Sequence, residues 1–151
     1  MISPARLKKE LISTTIMVAL GGLMFIGIQY FKHYDGKKAF EATGLTALTF
    51  TEAKLKAAQE NKPILADMSA YWCSYCKQLD RDVLASPKVK AFIEANYIFA
   101  RVDSESPDIQ YFQQAFNAFT YPSVFILNAD GSLIKKLSIT YQPDAFLQQL
   151  R

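Results

Sequence analysis

The chain has 151 residues, half of them hydrophobic and 13% aromatic, with two cysteines and a net charge of +3. That length holds one globular domain with an appendage, not two full domains, and the composition excludes a largely disordered chain. Residues 1–44 carry six Lys/Arg (Arg6, Lys8, Lys9, Lys32, Lys37, Lys38) against three acids (Glu10, Asp35, Glu41). The positive excess therefore flanks an apolar segment, where basic groups meet lipid headgroups, and implies no nucleic-acid-binding face.

After an N-terminal tail (1–10), residues 11–31, LISTTIMVALGGLMFIGIQYF, contain no charge. At about 1.5 Å per residue they span roughly 30 Å, the thickness of the hydrocarbon core. A cleaved signal peptide needs small residues before its cleavage site, and IQYFKHYD after Gly27 offers none, so an uncleaved transmembrane anchor is expected. Residues 32–44 (KHYDGKKAFEATG) are polar without clear periodicity and read as a tether. From residue 45 helices and strands alternate. A short strand is expected around Leu45–Phe50, then a helix capped by Thr51 and running to Glu60, and an apolar strand Ile64–Met68. A helix follows the cysteines with Cys76, Leu79 and Val83 inward; the next starts at Ser86-Pro87, with Val89, Phe92 and Ile93 on one face. YIFARVD (97–103) reads as a strand and 108–118 as a helix. PSVFILN (122–128) and SLIKKLSI (132–139) form a hairpin about Ala129-Asp130-Gly131, and Pro143–Leu150 is a last helix. The fold class is α/β, a mixed sheet covered by helices. Phe112, Phe116 and Phe119 read as core.

The chemistry lies in Trp72-Cys73-Ser74-Tyr75-Cys76-Lys77, between a buried strand and an amphipathic helix. A disulfide between Cys73 and Cys76 closes too small a loop to serve as a staple. A cysteine at a helix N-terminus faces unpaired N–H groups and the positive end of the dipole, both of which favour thiolate. The second sulfur lies one turn on, within reach of a mixed disulfide formed by the first. Cys73 is thus expected as the exposed nucleophile and Cys76 as the buried resolving thiol. Structural zinc needs four ligands, and the only histidine, His33, lies in the tether. Haem attachment needs a histidine directly after the second cysteine, where Lys77 stands. Cu(I) on the two thiolates, with Met68 as a third donor, stays open from the residues alone. So does a binding scaffold for assembly with incidental thiols.

PILADMSAYWCSYCK resembles the active-site segment of thioredoxin-like proteins, and LDRDVLASPKVKAFI resembles the C-terminal domain of DsbD-type thiol:disulfide interchange proteins. The resemblance covers about residues 50–150. It implies a thioredoxin fold for residues 45–151 and no dissociable cofactor. It also carries over three positions: Asp67 as the buried acid that helps deprotonate the resolving cysteine, Pro122 after Tyr121 as the cis-proline, and Trp72 as the aromatic before the first cysteine. Trp72 and Tyr121 would contact substrate. Ser74-Tyr75 departs from the Gly-Pro of thioredoxins and the Pro-His of strongly oxidising relatives, and Tyr121 before the proline is unusual. The expected activity is reduction of disulfides in protein partners, with an upstream thiol donor restoring the dithiol. Three Lys/Arg stand on each side of the anchor and do not choose an orientation. The short N-terminal flank and the resemblance imply a single-pass protein of the bacterial inner membrane with its domain in the periplasm.

Overall fold

The computed structural model describes residues 4–151. Residues 1–3 of the expected tail lie outside the described residues, and the remainder of that tail is already helical. Helix α1 runs unbroken over Pro4–Glu41, followed by α2 (Phe50–Glu60), β1 (Ile64–Ser69), α3 (Ser74–Leu79), α4 (Pro87–Asn96) and β2 (Ile98–Asp103). Then come α5 (Ile109–Ala115), β3 (Ser123–Leu127), β4 (Leu133–Lys136) and α6 (Pro143–Leu150).

The sheet order is β2-β1-β3-β4. β1 is parallel to β2, in register Asp67 with Arg101, and antiparallel to β3; β3 and β4 form the antiparallel hairpin. Side chains of β1 alternate between two cores. Ile64, Ala66 and Met68 enter one with Phe50, Phe112 and Phe125, under α2 and α5. Leu65 enters the other with Phe40, Leu79, Val89, Ile93 and Phe146, under α3, α4, α6 and the end of α1. Asp67 and Ser69 therefore face the α3 side.

Several local expectations shift. The cap of α2 is Thr49, not Thr51: its hydroxyl accepts from the Glu52 N–H while Glu52 reaches back to the Thr49 N–H, a reciprocal capping box. The strand around Leu45–Phe50 reduces to one parallel bridge, in which Leu48 meets Ala100 and covers the free edge of β2. Beyond α3 the chain widens into a π-helical turn, Asp80–Leu84, which keeps both Asp80 and Val83 buried. Phe119 is 66% exposed rather than in the core, while Phe112 is fully buried.

The largest difference is the tether. Residues 32–41 continue α1, and Gly36, Ala39 and Phe40 are buried against the domain. Phe40 stacks on Phe99 at 6.1 Å between ring centroids. The polar composition concealed a docking face, with His33, Gly36 and Phe40 at i, i+3 and i+7. By contrast, α1 is apolar and long enough to cross a membrane from Glu10 onward, and the apolar window is wholly exposed. That window, unlike the end of α1, takes no part in the domain core.

Candidate active site

Strand β1 ends at Ser69, and a tight turn reverses into α3, with the Cys73 N–H donating to the Ala70 carbonyl at 3.0 Å. Cys73 is the N-cap of α3: the Cys76 N–H donates to its Sγ at 3.2 Å. That bond places the two cysteines one turn apart and directs a backbone dipole at the first sulfur. The Cys73 thiol donates to the Tyr121 carbonyl at 3.8 Å, across from the start of β3. The Tyr121–Pro122 bond is cis.

Cys73 is not the exposed group expected: it is 8% exposed, against 1% for Cys76. Its side chain folds back onto its own helix, and both cysteines pack with Ala70 and Tyr121. Trp72, 49% exposed, meets the Tyr121 ring edge-on at 5.9 Å. The aromatic pair therefore stands beside a recessed sulfur and a backbone carbonyl. Burial pushes the Cys76 thiol well above its ordinary range; its contact with Cys73 pushes the same way, and the hydrogen bond with Ser69 opposes it.

Asp67 is buried, as its carry-over required, but it is not alone. Arg101 Nη1 donates to Asp67 Oδ2 at 2.9 Å and to Asp80 Oδ1 at 2.9 Å. Its Nη2 donates to Ser69 Oγ at 3.0 Å and to Asp80 Oδ2 at 3.1 Å. The guanidinium lies over the Phe40 ring at 4.2 Å and near Tyr71 at 5.2 Å. One cation thus serves two buried carboxylates, and Asp80 holds the bidentate share. Desolvation pushes Asp67 up to about 7, opposed by Arg101 and reinforced by Asp80 and Asp103. Asp80 is raised as well, first by burial, and Arg101 is raised by the two carboxylates against its own desolvation. Asp67 Oδ1 accepts no hydrogen bond from the protein among the described residues.

Arg101, Asp80 and Ser69 were not singled out from the sequence. Signals were present: Asp80 lies four residues after Cys76, on the same helix face, and Arg101 interrupts the apolar run Ile98–Val102. Lys77, next to Cys76, is committed to Asp35 of α1 at 2.9 Å, and Arg81 bonds the same carboxylate at 2.9 Å. His33 packs edge-on against Tyr71 at 5.2 Å. Met68 enters the core opposite the cysteines and is no third copper donor. No cluster of three or more His, Cys, Asp or Glu residues arranged to hold a metal occurs among the described residues.

Similarity to known proteins agrees with this geometry. The DsbD thiol:disulfide interchange protein of Neisseria meningitidis is 26% identical over 157 aligned positions, which cover 88% of this chain. The chain spans about a quarter of that relative (26% of its length). The reduced C-terminal domain of Neisseria meningitidis DsbD superposes with a TM-score of 0.55 at 27% identity, over 66% of this chain and 89% of that domain. A thioredoxin from Thermus thermophilus superposes with a TM-score of 0.62 at 24% identity, over 71% and 85% of the two chains. The family profile described as Thioredoxin-like matches residues 45–129, from just before α2 through β3, and includes both cysteines, Asp67 and Pro122. With that match spanning more than half the chain, the protein belongs to the thioredoxin-like family.

Proposed function

We propose that this chain is a membrane-anchored thiol–disulfide oxidoreductase that reduces disulfides of protein partners. Residues 11–31 act as the anchor and residues 45–151 as the catalytic domain. The observation that carries the reading is the Cys73 sulfur at the N-terminus of α3, one turn from Cys76 and facing the Tyr121 carbonyl. Cys73 thiolate attacks one sulfur of a substrate disulfide, forming a mixed disulfide and releasing the other sulfur as thiolate. Cys76 loses its proton and attacks Cys73 Sγ, which releases the second substrate thiolate. Two electrons and two protons pass to the substrate, and a thiol donor later returns them to the Cys73–Cys76 disulfide.

Asp67 is the acceptor for the Cys76 proton. Its raised pKa, about 7, matches a group that must take a proton and lose it near neutrality. Tyr121 and Pro122 supply the backbone edge for an extended substrate, and exposed Trp72 and Tyr75 offer it apolar contact. Support for reduction rather than oxidation comes from the surroundings of Cys73. One N–H faces its sulfur, and the neighbouring cation, Lys77, is tied to Asp35. The likeness to DsbD supports a periplasmic domain on a bacterial inner membrane.

Cys76→Ala tests the reading. In cells it is expected to accumulate covalent partner adducts that a reducing agent releases, and Cys73→Ala is expected to form none. Equal adduct levels in both variants contradict the assignment of Cys73 as nucleophile. A reporter fused to the C-terminus tests the orientation, with activity expected only for a periplasmic enzyme.

A further inference from the structure

The domain is not hung on a flexible leash. Asp35 ties α1 to Lys77 and Arg81, both downstream of Cys76. Gly36 lies so close to Tyr71 that a Cβ there would collide with the Tyr71 carbonyl. Phe40 then fills the core above Arg101. The docked residues start only two positions after Phe31, where the apolar segment ends, and α1 has no break between them.

Gly36 is five residues past Phe31, a rise of roughly 7.5 Å along the helix. The headgroup layer on one side of a bilayer is about 5–8 Å deep. The Tyr71–Trp72 turn is therefore clamped at headgroup level. A cleft of about 660 Å³ opens there, lined by Gln29, Tyr30, Lys32, His33, Trp72 and Glu105. One wall is the end of the membrane-crossing segment and the other is the residue next to Cys73.

We propose that this cleft seats phospholipid headgroups and that the catalytic turn rests on the bilayer surface with Trp72 inside the headgroup layer. The inference rests on the membrane-anchored reading above. Lys32 suits a lipid phosphate and Glu105 a lipid ammonium, so the lining matches a zwitterionic headgroup. Half-exposed tryptophan is also the side chain that partitions into this layer. Exchange is then restricted to disulfides presented at the membrane surface.

Trp72 is the only tryptophan in the chain, so its emission reports its own surroundings. The full-length reduced protein is reconstituted in phosphatidylcholine–phosphatidylethanolamine vesicles carrying a nitroxide either on the headgroup or near the acyl-chain end. The headgroup label is expected to quench Trp72 at least about twofold, and the deep label much less. Inserting seven helix-forming residues between Phe31 and Lys32 lifts the turn by roughly 10 Å while keeping its docking face. That variant is expected to lose most of the quenching. Vesicle flotation is read in the same samples. Protein that floats without headgroup quenching overturns the inference alone, and a cleft that serves a protein segment instead gives this result. Protein that does not float overturns the anchored reading and the inference with it.

Discussion

At the scale of single residues, the cysteines are supported by a buried cation shared between two carboxylates. Arg101 holds Asp67 and Asp80 while Phe40 and Tyr71 enclose its guanidinium. Arg101→Met leaves two carboxylates buried without a counter-charge, and is expected to cost about 3–5 kcal/mol of stability. Chemical denaturation measures this, and a change below about 1 kcal/mol contradicts the shared-cation account. Asp67 makes a second expectation. Its folded pKa, about 7, lies above the ordinary 3.8, so between these values the folded state holds more protons than the unfolded. Its contribution to stability is complete below about pH 4 and is lost as pH rises through about 7, and the raised Asp80 carboxyl acts in the same sense. Urea midpoints are therefore expected to fall from about pH 5 to about pH 8, and Asp67→Asn to flatten that slope. The cysteines were readable because their spacing and placement are local signals, and Asp67 because the segment that holds it resembles the family's active-site segment. Arg101 was not, since its meaning depends on the parallel register that sets it beside Asp67.

At the scale of elements, α1 is the part whose role the sequence concealed. KHYDGKKAFEATG is polar by composition, and only its contacts with Tyr71, Lys77 and Phe99 mark it as a docking helix. Gly36→Leu drives a side chain into the Tyr71 backbone and is expected to undock this end of α1. Hydrogen exchange should then rise across residues 33–41 and in the 70–73 turn, while β1–β3 stay protected. Unchanged exchange in both segments contradicts the clamp. The strands, the hairpin and the last helix were readable because apolar runs, Asp130-Gly131 and Pro143 carry local signals, whereas β4 stops at Lys136, short of the expected end at Ile139. The π-helical turn at Asp80–Leu84 had none, as it answers to the burial of Asp80 against Arg101.

At the scale of the whole molecule, the α/β order followed from periodicity, and the thioredoxin fold was implied by the resemblance of the segments around the cysteines. The relation between the domain and its helix did not, because it is a long-range packing event. One unbroken helix carries both the apolar segment and the docking segment, and its contacts connect them to the dithiol turn. The most direct measurement of its proposed activity mixes the reduced full-length protein with an oxidised, disulfide-bonded protein and counts alkylatable thiols on each. The account predicts that each chain loses two thiols while the substrate gains two, and that Cys73→Ser transfers none. Thiols that remain alkylatable on the wild-type chain, with no gain in the substrate, would contradict it.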